Sequence, residues 1–180
     1  LEEAPPSPGV TEVRTMLERT IARKLLPREF ALHQNAPNPF NPSTSIRFAV
    51  PAAAVPDAVI ASARAGCRAA VVLTAGFKEV GGDGVEREKE LARLAREHDI
   101  SVLGPNCLGV MNTALDVQLN ASFASAAPQP GKIAFMSQSG ALCTSILDYA
   151  REQRIGFSKF ISFGNKADIN ENDLLRYLAD

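Results

Sequence analysis

Ser137, Gln138, Ser139 and Gly140 stand where the apolar run IAFM ends and a helical pattern begins. The first N–H groups of a helix lack internal partners, and the helix dipole adds partial positive charge there. Gly140 lets a ligand approach the main chain, and Ser137 and Ser139 add hydroxyls. Such a turn can cradle a phosphate or a carboxylate. A serine nucleophile on a sharp elbow is the rival, but that motif places glycine two residues before and two after the serine. Around Ser139 those positions hold Ser137 and Ala141. Both histidines, His33 and His98, come earlier in the chain, whereas the hydrolase order places histidine last. A third reading is a plain N-cap, with Ser139 capping a helix and no ligand bound. Pattern alone leaves all three open.

Three further loops carry polar groups after apolar runs. LTAGFKEVGGDG, residues 73–84, is glycine-rich but matches neither GxGxxG nor a P-loop. GPNCLG, residues 104–109, puts Asn106 at a strand end, as a ligand donor or a turn former. Cys107 beside it reads as a small buried hydrophobe. FGNKAD, residues 163–168, sets Asn165, Lys166 and Asp168 on a loop, where Lys166 either neutralises phosphate or is solvated. In α/β sheets ligands bind at the carboxyl ends of strands, so loops that all follow strands share an edge.

The elements that must position these loops are legible as an alternation. A helix is expected over 54–66, with Pro56 in its first turn and Gly66 at its C-terminal end. AAVVLTA (69–75) reads as a strand buried on both faces. An amphipathic helix over 85–99 turns Leu91, Leu94 and Ala95 inward, and ISVLG follows as a strand. Residues 106–124 are less regular, and 124–131 read as a linker. Then come strand KIAFM, a helix over 139–153, strand FSKFIS, a loop and a helix from Glu171. This order predicts an α/β fold of βαβ units on parallel sheet. A single βαβα unit does not close a domain, so more protein is expected after Asp180.

Upstream the texture differs. Residues 11–26 read as a short amphipathic helix, QNAPNPFNPST holds three prolines and three asparagines, and residues 45–50 alternate as a strand. The net charge of -1 gives no electrostatic reason to propose nucleic acid or an anionic membrane. No apolar run is long enough to span a bilayer. Three well-separated cysteines fit a reducing, cytoplasmic compartment, and the two histidines are not spaced as metal ligands, so no metal site is expected.

The motifs VPAAAVPDAVIASARAGCRAAVVLTAGFKEVG, LGPNCLGVMN, GKIAFMSQSGALCTSILDYA and IGFSKFISFGNKADINENDLLRYLAD, taken in order, resemble the NDP-forming acyl-CoA synthetases. These are the ADP-forming acetate–CoA ligases and relatives of the succinyl-CoA synthetase alpha subunit, and the resemblance covers residues 48–180. It implies a partial CoA-binding Rossmann-like domain at 45–125, then the start of a flavodoxin-like succinyl-CoA-ligase domain at 130–180. It implies the reaction of acyl-CoA, ADP and phosphate to acid, CoA and ATP through a phosphohistidine. Val50, Pro51, Thr74, Ala75, Gly76, Phe77 and Glu79 would line the CoA pocket. Ser137, Gln138, Ser139 and Gly140 would bind phosphate, and Gly104, Pro105, Asn106 and Lys166 would stand at the acyl and phosphate centre. Its partners would be CoA, a small carboxylic acid or acyl-CoA, and an ATP-grasp subunit or domain, with ADP or ATP and Mg bound by the full enzyme.

The departures are specific. The family's opening strand and Gly-rich turn have no match, and neither His33 nor His98 has the context of the phosphorylated histidine, which is expected beyond Asp180. The chain alone is expected to be inactive. FALHQNAPNPFNPSTSIRFAVP, in turn, resembles the start of a bacterial secretion C-terminal sorting domain, which predicts a chimera joined within residues 48–55. The alternatives are a non-catalytic CoA or phosphate-binding module, an inert chimeric fragment, and a secreted surface protein with a truncated sorting domain.

Overall fold

The computed structural model describes residues 31–32 and 48–179, with side chains from residue 50 onward. The expected helix at 11–26, the Pro/Asn-rich segment and His33 lie outside the described residues. Strands β1 (Ala31–Leu32) and β2 (Phe48–Ala49) pair antiparallel, Ala31 opposite Ala49 and Leu32 opposite Phe48. β2 realises part of the strand expected at 45–50.

The first α/β unit follows the expected alternation. Helix α1 (Val55–Arg64) takes Pro56 in its first turn, where the missing N–H has no intrahelical role. Strand β3 (Ala69–Val71) runs parallel to β4 (Ser101–Leu103), and helix α2 (Asp83–Glu97) crosses between them. Val55, Val59, Val72, Phe77, Leu91, Ala95, Ile100 and Val102 make one core under the two helices. The β3 ladder is shorter and less buried than AAVVLTA predicts, because among the described residues β3 pairs only with β4 and its Ala69 is exposed.

The second sheet departs from an all-parallel expectation. Its order is β6-β5-β8-β7, formed by β5 (Gly109–Asn112), β6 (Leu119–Ser122), β7 (Pro130–Ser137) and β8 (Phe157–Ser162). β7 and β8 are parallel, while β5 runs antiparallel to both β6 and β8. The irregular stretch 106–124 is thus a hairpin whose hydrogen bonds go to the second sheet, although it follows the first unit in sequence. Side-chain alternation drives this: Met111 enters the core beneath helix α3 (Gly140–Glu152), while Val110 packs on the opposite face. In the α3 core Phe160 stacks on Phe135 at 4.8 Å and meets Phe157 edge-on at 5.0 Å.

A third cluster welds the two units. Leu103 of β4 joins Ile161 and Phe163 from β8 and its following loop, and Leu174 of helix α4 (Glu171–Ala179). Gly109 makes the crossing possible. It has φ 114°, and a Cβ there would stand 2.2 Å from the Ala121 carbonyl oxygen. Gly109→Ala is therefore expected to lower stability by about 2–4 kcal/mol. Denaturant unfolding measures this, and an unchanged midpoint would contradict the crossing geometry.

Candidate functional site

The SQSG turn forms as an open helix start. Ser139 is the N-cap of α3, with extended backbone (φ -86°, ψ 114°), and its hydroxyl accepts from the Leu142 N–H at 3.2 Å. The Ser137 hydroxyl accepts from the Ser139 N–H at 3.1 Å. A nucleophile elbow is a strained turn that thrusts a free hydroxyl outward. Here the backbone is relaxed and the hydroxyl is engaged in capping. His98 closes the far end of α2, so helix termination accounts for its place. Gly140 is not required by internal packing: an added Cβ would meet only Leu108 N at 3.7 Å and Leu108 Cβ at 3.8 Å. Capping and an approachable main chain thus coexist in this turn.

The other three loops converge beside it. The Phe163 N–H donates to Ser137 O at 3.1 Å, and the Leu108 N–H donates to the Ser162 hydroxyl at 3.0 Å. The GNKAD loop lies along the end of β4: Asn165 N–H donates to Pro105 O, Ala167 N–H to Gly104 O, both at 2.9 Å, and Ile169 N–H to Val102 O at 3.1 Å. The Asn106 N–H reaches Thr74 O at 3.0 Å. Four strand-end loops therefore share one edge.

A polar cluster fills the junction. Lys78 and Glu79 lie in the short 3-10 turn Lys78–Val80. Asn165 Nδ2 donates to Glu79 Oε2 at 2.5 Å and to Glu88 Oε2 at 2.8 Å. Lys78 Nζ pairs with Glu88 Oε1 at 2.7 Å. Asn106 Nδ2 donates to Asn165 Oδ1 at 3.3 Å. Glu79 Oε1 accepts the N–H groups of Gly76 (2.5 Å) and Phe77 (3.2 Å). Burial works to raise the Glu79 carboxyl, but the hydrogen bonds from Asn165 and the Gly76, Glu79 and Phe77 N–H groups outweigh it and hold the carboxyl below its usual range.

The expected residues divide by what they offer. Thr74, Ala75 and Gly76 lie half-buried after β3, and Pro51 is half-buried upstream of α1. Val50, Phe77 and Pro105 are packed inside, so they contribute backbone: the Val50 carbonyl accepts the Thr74 hydroxyl at 3.4 Å. Lys166 is engaged by Glu171 at 3.2 Å rather than free on the loop. Asp168 accepts the Val102 N–H at 2.8 Å and anchors the loop. Burial pushes the Cys107 thiol up to about 12, and burial also raises Cys143, so neither is a thiolate near neutral pH. Glu88 is central yet escapes sequence reading because VEREKE looks like a solvated charged face, and Lys78 escapes because its loop stands out only as glycine-rich. The signal was there in spacing: Glu88, Leu91 and Ala95 share the buried face of α2.

A separate cavity of about 630 Å³ opens at the opposite edge, lined among others by Asn112, Asp116, Gly131, Lys159 and Tyr177. It is remote from all four loops.

A family model described as a CoA binding domain matches residues 12–113. The chain belongs to the CoA-binding domain family. Residues 130–180 match a second model, the succinyl-CoA ligase like flavodoxin domain. Among curated relatives, acetate–CoA ligase [ADP-forming] I of Archaeoglobus fulgidus is 46% identical over 130 residues, covering 72% of this chain and 19% of the relative. Acetate–CoA ligase [ADP-forming] II subunit alpha of Pyrococcus furiosus is 45% identical over 131 residues, covering 73% and 28%. A Pyrococcus horikoshii OT3 crystal structure aligns with TM-score 0.69 at 45% identity, over 73% of this chain and 30% of that one. An acetyl-coenzyme A synthetase of Candidatus Korarchaeum cryptofilum, described as dinucleotide forming and solved with phosphate and ADP, aligns with TM-score 0.65 at 40% identity, over 72% and 27%. The chain thus spans less than a third of these relatives. None of the described helices is long and apolar enough to cross a membrane.

Because the folded Glu79 carboxyl lies below its ordinary 4.5, its contribution to stability is present above that value and is lost as pH falls through the folded value. The stability gap between wild type and Glu79→Gln should narrow as pH drops from about 5 to about 2. Chemical denaturation across that range checks it, and a pH-independent gap would contradict the assignment. Under native conditions iodoacetamide should modify the exposed Cys67 and spare the buried Cys107 and Cys143. Mass spectrometry of the alkylated peptides reads the outcome, and rapid labelling of all three would contradict the packing.

Proposed function

We propose that this chain is the CoA- and phosphate-handling part of an ADP-forming acyl-CoA synthetase. The observation that carries the reading is the convergence of four strand-end loops, with Gly140 beside Leu108 and Asn106 joined to the loop that follows β8. The names of the relatives, acetate–CoA ligase [ADP-forming], supply the reaction class, the joining of an acid to CoA with formation of ADP. In this reading it is run in reverse, acyl-CoA, ADP and phosphate giving acid, CoA and ATP.

In this reading the loop after β3 receives CoA. Gly81 and Gly82 carry nothing within 4 Å of a would-be Cβ, so a bulky ligand meets backbone there without steric conflict. Thr74 offers a hydroxyl and Glu79 an ionised carboxylate already fixed by the Gly76 and Phe77 N–H groups. Asn106 stands between this loop and the α3 N-terminus, where it would orient the acyl carbonyl toward phosphate. The SQSG turn supplies N–H groups and partial positive charge to the phosphoryl group. A phosphorylated histidine, an ATP-grasp portion, ADP and Mg belong to the complete synthetase and complete its reaction. The chain alone binds without turnover, in the cytoplasm.

Isothermal calorimetry with CoA tests the reading. Saturable heat is expected from the wild type, with affinity reduced about tenfold by Glu79→Ala; absence of heat from the wild type would overturn it. Fluorophosphonate should leave Ser139 unlabelled, since its hydroxyl caps α3; stoichiometric labelling would restore the hydrolase reading.

We also propose that residues 30–50 have a separate origin, joined within 48–55. The antiparallel pair Ala31–Leu32 with Phe48–Ala49, apart from the other sheets among the described residues, is consistent with this, while the CoA binding domain match over residues 12–113 runs across the join and counts against it. Genomic reads across those codons should fall below flanking depth if the join arose in assembly. Even depth would contradict that origin.

A further inference from the structure

Glu88 is 6% exposed and Asn165 is 5% exposed, and neither has a part in the proposed ligand contacts. Glu88 comes from α2 of the first unit. Asn165 comes from the loop after β8 of the second. Both amide hydrogens of Asn165 are used, one on Glu79 and one on Glu88, and its Oδ1 accepts from Asn106. Its main chain is fixed too: the N–H donates to Pro105 O, and its carbonyl accepts from Lys78 Nζ. Glu88 in turn holds the Lys78 ammonium at 2.7 Å and accepts the Lys78 N–H at 3.2 Å.

This arrangement allows one orientation of the Asn165 carboxamide. A flipped amide would set its oxygen against two carboxylates and its nitrogen against the Asn106 amine. Only Glu88 of the Lys78–Glu88 pair is buried, the Lys78 side chain being 45% exposed, so the pair is a weak source of stability compared with apolar packing, but it fixes a geometry. Position 88 shares its helix face with Leu91 and Ala95, where an apolar side chain would pack without desolvating a charge.

We infer that Asn165, held by Glu88, is a positioning residue that locks the CoA-side loop to the phosphate-side loop. Through its carboxamide, Glu79 on one loop and Asn106 on the other keep a fixed separation, so the ligands they receive are placed together. The inference rests on the proposed function for the identity of those ligands; the lock itself stands on geometry.

Charge balance supplies the test. The cluster holds Lys78 against Glu79 and Glu88, and Arg87, bonded to the Gly76 carbonyl beside Glu79, brings its charge to zero. Asn165→Asp brings a third carboxylate and removes both donors. Combining it with Glu88→Gln restores the net charge and reverses one hydrogen bond, the new glutamine amide donating to the new aspartate, while the Lys78 N–H loses its acceptor because Glu88 Oε2 serves both groups. The amides of Gly76 and Phe77 report directly, because each donates to Glu79, which Glu88→Gln leaves in place. In N165D these amides and that of Asn106 should exchange about tenfold faster by NMR hydrogen exchange. The E88Q/N165D protein should recover at least half of the logarithmic loss. Acceleration confined to residues 163–168, or no recovery in the double variant, overturns the lock. If N165D fails to fold, folding of E88Q/N165D supports the lock and its failure overturns it.

CoA calorimetry on the same proteins reads the link to ligand. Affinity should fall about tenfold in N165D and partly return in the double variant. Wild-type affinity in N165D overturns the positioning role. A wild type that gives no heat with CoA refutes the proposed function instead, and the exchange measurement then decides the lock alone.

Discussion

The chain between β4 and β5 serves two sheets at once, and the rest of the structure depends on that crossing. Leu103 ends a parallel ladder with β3, and Gly109 begins an antiparallel ladder with β6 and β8. Between them run Gly104, Pro105 and Asn106, whose main chain is bound on one side by Thr74 O and on the other by the loop after β8. The two units cannot shift independently without breaking these bonds. The burial of Leu103 with Ile161, Phe163 and Leu174 gives the crossing its apolar backing. A rigid hub at the carboxyl edge is what a site for two ligands needs, since small displacements between reacting groups are costly in rate.

The electrostatics of the edge are mixed rather than uniformly positive. Glu79 and Glu88 are balanced by the Lys78 ammonium and by the Arg87 guanidinium on the Gly76 carbonyl, so bulk charge does not attract an anion here. Attraction must come from oriented N–H groups, at the start of α3 above all, which act at short range and with direction. Such a site selects by geometry, and it steers the phosphates of a ligand away from the Glu79 carboxylate. Lys166 follows the same logic: paired with Glu171, it stabilises the turn into α4 rather than adding loose positive charge.

Much of the fold was legible because its signals were long and periodic. The helices near 55, 85, 140 and 171, the strand FSKFIS and the N-cap at Ser139 each appear within a few residues of their expected places. The hairpin β5–β6 was not legible. GVMN and LNAS are short and only half apolar, and their partners lie far along the chain or across a turn. Pairing of that kind is decided by tertiary context rather than by local pattern. The site was legible as four loops on one edge, but not as a network. Glu88 sits among charged neighbours that hide its inward spacing, and nothing local to GNKAD tells that Asn165 meets two carboxylates while Lys166 is drawn to Glu171. Long-range hydrogen bonds leave no mark on either partner's own segment.

The central claim is that the edge carrying the four loops, and not the cavity at the opposite edge, receives CoA. Titrating CoA into isotopically labelled chain and following backbone amide shifts tests this residue by residue. The account predicts saturable shifts at residues 74–79 and 104–108. Shifts confined to Asn112, Asp116, Gly131 and Lys159, around the opposite cavity, would contradict it.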